Sequence, residues 1–314
     1  MDALTDLLDG PRARGAFLLR ASLDPPWSVR IEDRAPLCLV AMVRSGAWVR
    51  YDDGERVELR PGDVAVTRGP EPYVVSDAPA TEPQIVIHPG QRCTTPDGVS
   101  LSEAMDLGVR SWGTAPDGAT VMLVGAYQMR GAVTQRLLAA LPRLAVVRRE
   151  DWDSPLVPLL GQEIVRDEPG QDVMLDRLLD LLLITVLRAW FARPGARTPG
   201  WYRAHGDPMV GPALRLLHDD VAHTWTVAGL AEKVGASRAA LAQRFVKLVG
   251  EPPMTYLTSL RLAQAADLLR EGDGTLDAIA RQVGYGTAFA LSTAFKREYG
   301  VSPQEYRSGA PAPS

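Results

Sequence analysis

Between Ser28 and Val75 the apolar positions fall in short runs rich in Val and aromatics: LCLVAMV, AWVRYDD, ERVELR, DVAVTR and YVVSD. Gly, Pro or Asp interrupts them about every ten residues, a spacing that predicts short antiparallel strands closing as a small barrel or sandwich. The β character extends to about residue 150. Near Pro155 the period changes, and from Leu156 to Val165 and again from Val173 to Phe191 apolar residues recur at helical spacing. Glu168-Pro169-Gly170 marks a turn between these two predicted helices. The second carries Leu175, Leu178, Leu179, Leu182 and Val186 on a broad face, more than a small barrel needs to bury, so this face is expected to form a homodimer interface. Residues 193–207 (RPGARTPGWYRAHGD) read as an interdomain linker, and the next helix is expected over Pro212–His218.

From Thr226 to Arg307 one local pattern occurs twice. Leu230-Ala231 is followed by Gly235, Ser237, Leu241 and Phe245; Ile279-Ala280 is followed by Gly284, Thr287, Leu291 and Phe295. Each copy predicts a helix, a tight turn and a second helix. The small Ala permits a close crossing, the Gly suits a left-handed turn residue, and Ser237 and Thr287 are placed as N-caps. Leu241, Phe245 and Leu248 share the inward face of the first copy's second helix, which leaves Ala239, Ala242 and Gln243 outside. A helical segment over Pro253–Arg270 joins the copies and ends at Glu271-Gly272-Asp273-Gly274.

The segments SRAALAQRFVKLVGEPPMTYL (237–257) and IARQVGYGTAFALSTAFKREYGVSPQEYR (279–307) resemble the DNA-binding domain of AraC/XylS-type bacterial transcription regulators. The resemblance implies that Ala239, Ala242 and Gln243 in the first copy, and Ala288, Phe289, Ser292 and Thr293 in the second, face the bases. Gln bonds adenine bidentately and Ala and Thr methyls pack on the thymine methyl, so A·T-containing sites are expected. Phe289 either meets a thymine methyl or turns inward to pad the helix crossing. Arg238, Arg244, Lys296 and Arg297 are the expected phosphate contacts. The segment SGAWVRYDDGERVELRPGDVAVTRGPEPYVV resembles the cupin-type sensor domain that many such regulators carry, with Pro61-Gly62-Asp63 turning into the next strand. It departs from metal-binding cupins, because of four histidines only His88 precedes residue 205, and a three-histidine site cannot be built. No metal or cofactor is expected.

Composition supports two soluble domains: 314 residues are 46% apolar and 23% charged. The net charge of −4 advertises no nucleic acid, so the DNA-binding reading rests on pattern. No run is long and apolar enough to span a bilayer, and the acidic N-terminus does not read as a signal peptide, which points to the cytoplasm. Two cysteines argue against a disulfide scaffold. Cys38 lies in an apolar strand, while Cys93, in a Pro/Gly-flanked loop, is closer to where a reactive thiol sits; together they offer a redox switch. Trp27, Trp48, Tyr51, Tyr73 and Trp112 are candidates to line a ligand cavity.

The expected fold is α+β in two domains. Residues 1–192 form a cupin-like antiparallel β-barrel with a helical pair, 193–207 the linker, 208–307 an all-α domain with two helix-turn-helix motifs, and 308–314 a disordered tail. The expected function is a homodimeric transcription regulator that is not an enzyme. Its expected partners are double-stranded operator DNA, RNA polymerase and a small-molecule effector, with no membrane. The alternatives are a cupin-type enzyme fused to a DNA-targeting domain, a redox-sensing regulator acting through Cys38 and Cys93, and an architectural DNA-binding protein without ligand.

Overall fold

The computed structural model describes residues 17–127, 132–152, 154–193, 198–272 and 274–308. The acidic N-terminal segment, linker residues 194–197 and the expected tail after Ser308 lie outside them. The described residues fall into two compact units, one drawn from 11–129 and 141–196, the other from 130–140 and 197–314.

The first unit stacks two six-stranded sheets. With strands numbered along the chain, one sheet runs β10 (Ser111–Gly113), β1 (Phe17–Leu23), β11 (Thr120–Tyr127), β3 (Leu37–Arg44), β6 (Val64–Arg68), β12 (Leu144–Val147). The other runs β5 (Arg56–Leu59), β4 (Ala47–Arg50), β7 (Tyr73–Ser76), β2 (Ser28–Ile31), β8 (Ile85–His88), β9 (Arg92–Thr94). Pairing is antiparallel except that β1 meets β10 and β2 meets β8 in parallel, both across long connections. The turn into β6 shows what Pro61-Gly62-Asp63 does. Gly62 takes a φ of +88°, where a side chain is strained, and this brings the buried Asp63 carboxylate back to accept from the backbone N–H of Arg60 at 3.0 Å. The N–H of Arg149 (2.9 Å) and the guanidinium of Arg148 (2.7 Å) complete its partners, so the buried charge is compensated.

Strand β3 is buried over six consecutive residues, Leu37 to Met42, so it does not read as a strand with one wet face. One side faces the other sheet. The opposite side of this sheet is covered by two helices, Leu156–Glu163 and Gln171–Ala192, which we number α2 and α3 after the helix α1 (Ala132–Ala140). The approach is close at Gly125, where an added Cβ would lie 2.8 Å from Leu179, and the Tyr127 hydroxyl donates to the Leu179 carbonyl at 2.9 Å.

This covering corrects the expected dimer interface. Leu175, Leu179, Leu182 and Val186 are buried within the unit, and Leu178 is half-buried, because two broad sheets leave one outer face that a helix must cover. Side chains already out of water gain nothing from a second copy.

The second unit holds α1, α4 (Gly200–Ala204), α5 (Val210–Asp219), α6 (Val227–Lys233), α7 (Arg238–Val249), α8 (Pro253–Glu271), α9 (Leu276–Gln282), α10 (Ala288–Tyr299) and α11 (Pro303–Arg307). Two of these depart from the expected domain layout. Helix α1 interrupts the β region between β11 and β12, and it packs on α8 within this unit. Residues 200–204, expected as linker, are a helix: Trp201 is buried, and Gly200 sits so close that a Cβ would lie 2.5 Å from the Val249 carbonyl oxygen. Its Gly and Pro content signals tight packing as much as flexibility. Among the described residues no helix is long and apolar enough to cross a membrane.

Candidate nucleic-acid interface and sensor cavity

The two copies of the repeated pattern fold alike down to single hydrogen bonds. The second helices open on the caps expected: the Ser237 hydroxyl accepts from the N–H of Ala240 (3.2 Å), and that of Thr287 from Ala290 (3.1 Å). Both end on left-handed glycines, Gly250 and Gly300, with φ of +100° and +76°. In the turns, Ala236 donates to the carbonyl of Ala231 (2.9 Å) and Tyr285 to that of Ala280 (2.7 Å), while Gly235 and Gly284 take φ of +67° and +80°. Leu241, Phe245, Leu291 and Phe295 have no exposed surface, and burying each side chain is worth about 1.5–3 kcal/mol. Phe295 also meets the rings of Tyr299 and Tyr306 at 4.5 and 5.2 Å, so these aromatics hold α10 in place.

With that face fixed inward, the outer faces of α7 and α10 are determined. Ala239, Gln243, Phe289 and Thr293 are exposed; Ala242, Ala288 and Ser292 are half-buried beside them. Phe289 is 82% exposed, which excludes the inward padding role. The Thr293 hydroxyl donates to the Phe289 carbonyl at 3.0 Å, leaving its methyl as the outward chemistry. The two faces therefore differ: α7 offers a long amide, and α10 offers an aromatic ring and a methyl.

Among the cations, Arg238, Lys296 and Arg297 are exposed. Arg244, another expected phosphate contact, is half-exposed and also pairs within the unit. Its Nε donates to one Asp207 oxygen at 2.8 Å and its Nη2 lies 2.6 Å from the same oxygen, and the other Asp207 oxygen accepts from the N–H groups of Met209 and Val210. The hydrogen bond from Arg244, with help from those N–H groups, holds the Asp207 carboxyl well below the usual range, at about 2. Asp207 thus ties the start of α5 to the middle of α7. The pairing spans 37 residues and has no local sequence signal.

Between the two sheets of the other unit lies a cavity of about 130 Å³. Of the five aromatic candidates, Tyr73 and Trp112 line it, and the other three are engaged elsewhere. Trp27 is core, its indole donating to Thr120 at 3.3 Å; the Tyr51 hydroxyl donates to the Arg143 carbonyl at 3.0 Å, and Trp48 lies half-buried on β4. The remaining wall was legible as alternation: Met122, Val124 and Ala126 on β11, and Cys38 and Val40 on β3, each point inward at a spacing of two. Cys93 lines the cavity as well. It lies on β9 and is buried, not in an exposed loop. Burial pushes the Cys38 thiol up to about 12 and raises that of Cys93, so neither is poised as a thiolate, which removes the basis for a reactive-thiol switch. Among the described residues no group of three or more His, Cys, Asp or Glu is placed to hold a metal ion.

Two capped helix-turn-helix motifs on one connecting helix, in a chain that also carries a two-sheet β unit with an internal cavity, define a DNA-binding regulator with a cupin domain. A family model described as Cupin matches residues 2–192, and one described as Helix-turn-helix domain matches residues 230–309. A putative AraC-like transcription regulator of Streptomyces lividans is 33% identical over 98% of both chains, and another from Streptomyces antibioticus 30% identical over 98% of both. Among solved structures, the DNA-binding domain of AdpA, a global transcriptional factor in complex with a target DNA, is 30% identical, covering 33% of this chain and 93% of that one at a TM-score of 0.32. The chain belongs to the AraC-like transcription regulators, with an N-terminal cupin domain and a C-terminal helix-turn-helix domain.

Proposed function

We propose that this regulator reads its operator through both α7 and α10, and that a small molecule held between the two β-sheets controls that reading. The observation that carries the first half is the exposed Phe289 at the start of a capped helix whose opposite face is core. The ring shares its outward face with Thr293 and the half-buried Ser292, the positions the helix-turn-helix resemblance assigns to base edges, and an aromatic ring there can pack on a thymine methyl. On this reading Gln243 bonds an adenine edge, Phe289 and Thr293 pack on thymine methyls, and Ala239, Ala242, Ala288 and Ser292 let the helices approach the groove. Arg238, Lys296 and Arg297 meet phosphates, and Arg244 positions α7 through Asp207. The second half rests on the cavity.

The chain works as a homodimer whose interface lies away from the buried face of α3, acts with RNA polymerase in the cytoplasm, and is not an enzyme; its relatives' designation as transcription regulators supports the last point. Selection of binding sites from random DNA by the full-length protein tests the reading. It should yield two A·T-containing elements, and enrichment of no sequence at all would overturn it.

A further inference from the structure

Resting on the reading that the β unit senses a small molecule, we propose that its ligand is an uncharged, apolar molecule of about the size of benzene or toluene. The walls argue for this first. Among the described residues seventeen line the cavity, and eleven of them are Leu, Ala, Val, Ile or Met: the inward positions of β1, β2, β3, β7, β8 and β11 are of these types apart from Cys38 and Tyr73. Few polar side chains reach the wall, and Asp33 and Gln91 among them engage each other. Asp33 accepts from the N–H of Ala35 (3.0 Å) through one oxygen and from the Gln91 amide (3.3 Å) through the other. The Tyr73 hydroxyl lies beside Thr67 and Cys38, and the Cys93 thiol beside Trp112.

A polyhydroxylated ligand needs a donor or acceptor for each hydroxyl it brings out of water, and these walls offer few, gathered at Asp33 and Gln91. An anion is disfavoured further by Asp33, and no Lys or Arg is among the described residues of the lining. A cation finds a single carboxylate, Asp33, each oxygen of which already accepts one hydrogen bond. What such walls do favour is apolar surface, which leaves water without any hydrogen bond being required of the site.

Size narrows the class. An apolar cavity of about 150 Å³ engineered into a protein core stays dry and takes benzene. The 130 Å³ here matches a compact ring or short branched chain of about six to eight heavy atoms.

The test uses the full-length protein with four probes: toluene, benzoate, benzylamine and a free hexose. Each is scored by the shift in melting temperature and by the change in affinity for a selected operator fragment. Toluene is expected to raise the melting temperature and to change operator affinity by about fivefold or more, with the other three inert. Ala126→Val and Ala126→Leu, which narrow the cavity in two steps, should weaken the toluene effect in that order; the smaller change guards against loss of folding. An equal or larger effect from benzoate, benzylamine or the hexose overturns the apolar, uncharged class while leaving the sensor reading intact. A toluene effect unchanged in both variants places the ligand elsewhere and overturns the proposal. Toluene binding with no change in operator affinity also overturns it, and silence from all four probes overturns the sensor reading with it.

Discussion

Phe289 and Gln243 occupy neighbouring steps of equivalent helices yet carry opposite chemistry, and they make separable predictions. Phe289→Ala removes a side chain that is 82% exposed, so the melting temperature should stay nearly unchanged while affinity for the specific site falls. A drop of several degrees would mean that the ring is packed after all. If the ring meets thymine methyls, replacing thymine by deoxyuridine in the element read by α10 should weaken wild-type binding and leave the Phe289→Ala variant unaffected. Gln243→Ala should cost about 1–3 kcal/mol at the specific site and relax preference at one base pair, with non-specific binding almost unaltered. Sequence periodicity put Gln243 on an outward face, whereas Phe289 was placed outward only by the family resemblance and stayed ambiguous because its position is near the turn, where one helix step decides between solvent and crossing. Asp207 was invisible for a different reason, since its partner Arg244 is brought to it only by the fold. Its carboxyl, held at about 2, contributes stability fully present above the ordinary carboxylate range and lost as pH falls through about 2. An NMR titration of Asp207 should find that low midpoint, and Arg244→Ala should return it towards the ordinary value; an unmoved midpoint would contradict the assigned cause.

At the scale of elements, the duplicated motif was the most legible part of the chain, because capping, turn chemistry and helical period all agree there. The two turns are nevertheless unequal. Gly235 has open space around it, so Gly235→Ala should cost about 1 kcal/mol from its positive φ alone. At Gly284 a Cβ would also lie 2.7 Å from the Ala222 carbonyl oxygen, so Gly284→Ala should destabilise clearly more in thermal melts. Equal losses would mean that the backbone at Gly284 relaxes freely. The long helix α3 was legible as a helix but not as to what covers it. Its apolar face was assigned to a second copy because a small barrel was expected to leave it uncovered, whereas the outer surface of one six-stranded sheet takes the face up. Leu182→Glu should therefore cost about 3 kcal/mol or more and yield poorly folded protein, while Leu181→Glu, at an exposed position, should be tolerated. Soluble monomeric Leu182→Glu would restore the interface reading.

For the molecule as a whole, the sequence shows two domain types because a strand period gives way to a helical one. The borders were harder to see. Helix α1 lies between two strands of one unit while packing in the other, and residues 200–204 look like linker by composition but are buried. Both follow from tertiary contacts that local composition does not report. The cavity belongs to this scale too, since its lining depends on which strands of two sheets come face to face. The central claim, that each protomer carries two reading helices joined by α8, is tested most directly by hydroxyl-radical footprinting of the full-length protein on a selected operator. The account predicts that each protomer protects two major-groove segments about 10 base pairs apart on one face of the duplex, and that Phe289→Ala weakens one segment and Gln243→Ala the other. A single protected segment per protomer, or one segment weakened by both substitutions, would contradict it.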